Sequence, residues 1–257
     1  AYPMKKLSTT QLAMSYTGIF LGAGFVSGQE LWQFFACFGP VGLIGFIGTA
    51  ALFFYVNYAN LRLIQLTGQE DMGRLMTCGD HPKLRAAVSA MQNLLLVGVC
   101  IIMIAGASTL IHQLLPIPAW LGGLIFTVIV AAVALLGMQG LVAVFSLLVP
   151  VTTVMAVLLA AWVLMKNGFS FAPANGSVSA LMPNWIIGFV TYAAYNLFGT
   201  ISILVPTAKL MDGKKTVRRG LSMGSVLLIV LAWSMIAAIS VLPSSGQNEL
   251  PMSALAS

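Results

Sequence analysis

Seven long apolar runs, over 11 to 38, 41 to 66, 87 to 115, 119 to 136, 141 to 165, 184 to 211 and 219 to 242, dominate the sequence. Each has about the 20 residues that a helix needs to cross roughly 30 Å of hydrocarbon. In lipid every backbone amide and carbonyl must be satisfied within the protein, which leaves helices or a closed barrel. Barrel strands alternate polar and apolar residues, and these runs do not. An all-α membrane protein is therefore expected. Composition agrees: 59% of the 257 residues are hydrophobic and 7% charged, more apolar surface than a soluble domain can hide.

The charges set an orientation. With the N-terminus inside, Lys5, Lys6, Arg62, Arg74, Lys83, Arg85, Lys209, Lys214, Lys215, Arg218 and Arg219 fall on the inner side and Lys166 alone on the outer. Positive residues accumulate in cytoplasmic loops, so the net charge of +6 encodes topology and calls for no nucleic acid. The run from Lys214 to Arg219 could also touch anionic headgroups, but the topological reading explains it without a ligand. Lys5 and Lys6 mimic a secretion signal, yet the apolar run that follows extends to about residue 38, as an uncleaved span would. Trp120 and Trp185 sit where interfacial anchors are expected. Cys37, Cys78 and Cys100 are too scattered for a disulfide framework or a zinc site and read as buried fillers. A multi-pass protein of a bacterial cell membrane with a cytoplasmic N-terminus is expected.

Two runs carry interruptions. The first, from Tyr16 to Glu30, holds Gly18, Gly22, Gly24 and Gly28 and ends in Ser27, Gln29 and Glu30. The sixth holds Tyr192, Tyr195, Asn196, Phe198, Gly199 and Thr200, followed by Pro206. Each interruption lies near the middle of its run. Gly18 with Gly22, and Gly24 with Gly28, also form small-xxx-small pairs that would serve helix packing alone. Two central breaks opening the two halves of a chain fit the discontinuous helices of an inverted-repeat transporter better. The chain then divides into a cytoplasmic N-terminus at 1–10, a five-span repeat over 11–165, an outer linker at 166–183, and the first two spans of an inverted second repeat with a following outer loop over 184–257. Asn196 follows Gly22 by 174 residues, so a complete second repeat would end near residue 339. Seven spans of ten are expected here, with three more beyond the C-terminus.

The stretch from Gly22 to Phe35, GAGFVSGQELWQFF, resembles the signature of the YkvI-like membrane proteins, amino acid permease relatives of the amino acid, polyamine and organocation transporters. The resemblance implies a LeuT-like bundle, ten spans and solute transport. It implies a break in the first span at Gly22, Ala23, Gly24 and Phe25, and it leaves the substrate open.

Glu30 is the single acidic residue inside a run, at a depth where carboxylates are costly and usually functional. Ser27 and Glu30 also have the spacing of a capping box for an outer half-helix, so a structural cap and a role in Na+ or H+ coupling both stand. Unwound amides at Ala23, Gly24 and Phe25 would donate to an anionic group, and freed carbonyls near Tyr195, Asn196 and Phe198 would accept from a cationic one, which suits a zwitterion. Tyr16, Tyr192 and Tyr195 either line that cavity or pack in the core, and Phe25 and Phe198 are gate candidates. The substrate-binding set is Gly22, Ala23, Gly24, Phe25, Tyr192, Tyr195, Asn196, Phe198 and Gly199. No cofactor is expected beyond a coupling ion, and the partners are a small solute and the bilayer. His81 and His112 read as loop and interfacial residues.

The expected function is secondary transport of a small organic solute, an amino acid or related zwitterion or amine; a nucleobase transporter or a channel is the alternative. An intramembrane enzyme would need HExxH or paired span carboxylates, both absent. A retinal protein would need a lysine within residues 219 to 242, which hold none.

Overall fold

The computed structural model describes residues 6–68, 77, 81–168, 181–211 and 213–241. Expectations placed on Lys5, Arg74 and Cys78, on most of the 166–183 linker and on the loop after 241 fall outside these residues.

The described residues form helices: α1 (Thr9–Phe20), a single turn α2 (Ala23–Val26), α3 (Gln29–Phe34), α4 (Pro40–Thr67), α5 (Pro82–Leu114), α6 (Ala119–Leu135), α7 (Gly137–Asn167), α8 (Trp185–Thr207) and α9 (Gly213–Val241), with 3-10 turns at Ala36–Phe38 and Ala208–Leu210. By length and composition α4, α5, α7 and α9 can each cross a membrane. Of the other three expected spans, the first is cut into α1, α2 and α3, α6 has 17 residues, and the apolar part of α8 is shorter than the four long helices. At a rise of about 1.5 Å per residue α6 is roughly 26 Å long, at the short end of what spans hydrocarbon.

Helix α1 opens on a capping box that the lysines beside it obscured. Ser8 Oγ accepts from the amide of Gln11 at 3.2 Å, and Gln11 Oε1 accepts from the amide of Ser8 at 3.0 Å. Gly39, at φ 71° and ψ −146°, turns the chain into α4 with Pro40 in its first turn, a backbone conformation that a side chain would resist.

The most extensive packing joins α1 to α9 and α4 to α8, with α7 and α4 also lying against α9. Glycine lets α1 and α9 approach. A Cβ on Gly220 would fall 2.6 Å from Leu12 Cδ2, and one on Gly224 would fall 2.5 Å from Tyr16 Cδ1. Gly18 serves packing too, facing the Phe145 ring on α7. The interior is aromatic: Phe20 stacks on Phe53 at 4.1 Å, and Phe34 and Phe35 each lie 5.1 Å from the Tyr192 ring. By contrast α5 and α6 pack mainly on each other, and none of the most apolar stretch of α5 is buried.

One end of the bundle gathers four segments that the charges assign to a single side. The Leu7 amide donates to Leu210 O at 2.7 Å, Leu7 and Leu210 pack with Val142 and Met138, and Gln65 reaches Met211 O at 3.5 Å. Cys37 is buried as expected of a filler, whereas Cys100 is exposed on the outer face of α5, because that helix has few neighbours.

Candidate functional site

The first apolar run unwinds where its glycines cluster. Leu21 and Gly22 close α1 through amide bonds to Gly18 O (3.1 Å) and Phe20 O (2.9 Å); Val26 then donates to Gly22 O at 2.9 Å, completing the single turn of α2. Gly28, at φ 84°, reverses the chain into α3, a conformation that favours glycine. Ser27 Oγ donates to Gly24 O at 3.1 Å and accepts from the Gln29 amide at 3.3 Å.

The capping-box expectation for Glu30 is corrected here. Gly28 is the N-cap of α3 and has no side chain to cap it; Ser27 Oγ takes the first-turn amide of Gln29, and Glu30 turns away to α8. Its Oε2 accepts a hydrogen bond from the Tyr192 hydroxyl of α8 at 3.2 Å. The same side chain lies over the backbone of Gly24, so close that a Cβ there would be 2.7 Å from Glu30 Cγ and 2.8 Å from Cδ.

The expected break in the sixth run is also corrected: α8 is continuous from Trp185 to Thr207. A lone Gly199 costs a helix only about 1 kcal/mol, and Pro206 falls in the last turn, where the chain passes into the 3-10 turn at Ala208–Leu210. The carbonyls expected to be freed stay within the helix and take extra side-chain donors. Thr200 Oγ1 bonds Asn196 O at 2.6 Å, Asn196 Nδ2 bonds Tyr192 O at 3.1 Å, and Gln92 Nε2 reaches from α5 to Phe198 O at 3.3 Å.

A cavity of about 540 Å³ opens at the break of the first span. Gly22, Gly24, Ser27, Gln29, Glu30 and Gln33 form one wall, Val99, Ile102, Met103, Gly106 and Leu110 of α5 form the other, and Phe126 and Tyr195 complete it. Of the expected substrate set, Gly22, Gly24 and Tyr195 line this cavity, together with Ser27 and Glu30. Tyr192 lies behind it, fully buried, and touches it only through Glu30. Phe25 is buried against Phe46, with ring centroids 6.4 Å apart. Asn196 is turned back onto α8, and Phe198 and Gly199 line a separate recess of about 20 Å³ beside Gln92. Ala23 contributes the first residue of the single turn. Sequence reasoning missed the α5 wall, because an apolar residue facing a cavity has the same signature as one facing lipid. Among the described residues, Glu30 is the only charged one lining the cavity.

Over 254 residues the chain is 26% identical to YkvI, an uncharacterized membrane protein of Bacillus subtilis (strain 168), in a match that spans 96% of this chain and 71% of YkvI. The chain is a distant homologue of a membrane protein. It is also 24% identical over 203 residues to the uncharacterized protein YyaD of the same organism, covering 76% of this chain and 55% of YyaD. No family model matches the chain, and no solved structure matches it. The homology and the long apolar helices together make this a membrane-embedded helical protein.

Proposed function

We propose that the chain works in a secondary transporter that moves a small organic solute, an amino acid or related zwitterion or amine, across the cell membrane by alternating access, with Na+ or H+ as the coupling ion. The observation that carries this reading is the coincidence of three features at one point: the break of the first span, a cavity of solute size, and a carboxylate bridging the first and sixth spans. Cavities in this size range hold small ligands, and transporters place solute sites where spans unwind at mid-membrane.

Packing supports the repeat on which alternating access depends. The first span lies along the seventh, and the second along the sixth. Numbered within units of five, unit-one span one meets unit-two span two, and unit-one span two meets unit-two span one. This reciprocity is what a two-fold relation between units requires, and it supports a LeuT-like arrangement even though α8 is continuous. The charge distribution supports a cytoplasmic N-terminus.

The test is uptake into proteoliposomes of radiolabelled amino acids, amines and nucleobases under imposed Na+ or H+ gradients. Saturable uptake of an amino acid or amine is expected. Glu30→Gln should abolish uphill uptake and retain exchange; unimpaired uphill uptake by that variant excludes an obligatory coupling role for Glu30. Nucleobase uptake alone would overturn the solute class, and unitary currents without saturable flux would make the protein a channel.

A further inference from the structure

The charge arithmetic of the cavity is unbalanced. Glu30 contributes a carboxylate, and among the described residues neither lysine, arginine nor histidine lines the cavity. The remaining polar side chains there, Ser27, Gln29, Gln33 and Tyr195, are neutral. A carboxylate at membrane depth is costly without a partner, and within the described residues its hydrogen-bond partner is a neutral hydroxyl, that of Tyr192. The bond consumes one acceptor direction of Oε2, whereas an ionised carboxylate offers about four.

The position matters as much as the charge. Glu30 fills the space where a side chain at Gly24 would stand, beside the break that an incoming zwitterion would approach. An amino acid entering here would bring its own carboxylate up to that of Glu30, with no cation among the described lining residues to offset the repulsion. An amine lacking a carboxylate meets only attraction: Glu30 for its ammonium and the ring of half-exposed Tyr195 as a second cation-binding surface. The opposite wall, with Val99, Ile102 and Met103, accepts an apolar body.

We propose that the cavity selects a monoamine cation with an apolar body and rejects the corresponding amino acid, with Glu30 as the ammonium receptor and Tyr192 as the residue that positions it. This rests on the cavity being the solute site, and it narrows the solute class stated above.

The test compares three probes of one carbon skeleton in nanodiscs: isoamylamine, which is protonated at neutral pH, leucine, which adds a carboxylate, and isoamyl alcohol, which removes the charge. Equilibrium binding to the chain is followed by the carboxyl signals of ¹³C-labelled glutamate, with Glu30 assigned by its loss in Glu30→Gln. Saturable perturbation of the Glu30 signal by isoamylamine is expected, with neither leucine nor isoamyl alcohol competing at equal concentration. Loss of a hydrogen bond to a charged group weakens binding by roughly ten- to a hundredfold, so Glu30→Gln should weaken isoamylamine binding, followed by competition calorimetry, by at least about tenfold, and Glu30→Asp should retain most of it. Leucine binding as tightly as isoamylamine, or Glu30→Gln binding the amine unchanged, overturns the proposal. Because competition among the three probes can also be read calorimetrically on the unmutated chain, a folding defect in Glu30→Gln leaves the comparison decisive. Amine binding without flux in liposomes would sink the transporter reading and leave this one standing; leucine flux with no amine binding would do the reverse.

Discussion

Replacing Gly220 by alanine separates helix contact from helix propensity. On α9, Gly220 and Gly224 lie one turn apart and receive Leu12 and Tyr16, one turn apart on α1. The new Cβ would sit 2.6 Å from Leu12 Cδ2, 2.8 Å from Cγ and 3.0 Å from Cβ. The far methyl can rotate, but the Leu12 Cβ is fixed to the α1 backbone, and Leu12 is fully buried. The helices must therefore move apart. Overpacking of this kind costs about 1–3 kcal/mol, while alanine gains about 1 kcal/mol over glycine in a helix interior. The net is a loss of roughly 1 kcal/mol. Gly98 on α5 supplies the reference, because nothing lies within 4 Å of a Cβ built there, and Gly98→Ala should gain roughly 1 kcal/mol. Unfolding in mixed micelles on addition of sodium dodecyl sulfate, followed by circular dichroism, should shift the two midpoints in opposite directions. Equal shifts of the same sign would refute the contact between α1 and α9, and with it the packing on which the proposed repeat rests.

Two further predictions concern topology and the site. In a background without native cysteines, an impermeant maleimide applied outside intact cells should label Asn175→Cys and not Lys214→Cys; the reverse pattern would invert the orientation read from the charges. Tyr192→Phe keeps the ring among Phe34, Phe35 and Phe53 and removes only the hydroxyl bonded to Glu30, so it should cost about 1.5–3 kcal/mol in the same micelle assay. No measurable loss would mean that the bond to Glu30 does not form.

How much of this was legible in the sequence depended on whether a feature is local. The break of the first span was readable because four glycines fall within eleven residues and Gly28 adopts a left-handed conformation that the chain needs there. The sixth run contained similar letters in a different grammar: Asn196 and Thr200 bond carbonyls one turn back within α8, which decorates a helix instead of ending it. Ser8 and Gln11 carried a capping box in plain view, at a point where the neighbouring lysines suggested a signal segment. The partner of Glu30 was not legible, since Tyr192 lies 162 positions away and no periodicity relates the two. The candidate cavity was half visible: its polar wall came from the break, but its apolar wall on α5 could not be told from a face turned to lipid.

The loose attachment of α5 bears on how such a protein could change over generations. Residues that shape the apolar wall, among them Val99 and Met103, belong to a helix whose neighbours are chiefly α6, α2 and α8, while the tightly interlocked aromatic interior lies on the other side of Glu30. Substitutions on that wall alter what fits without disturbing the framework that folds. The shape of the cavity can therefore drift by single steps, each tolerated by the rest of the chain, and proteins sharing this framework are free to diverge there long before they diverge in architecture.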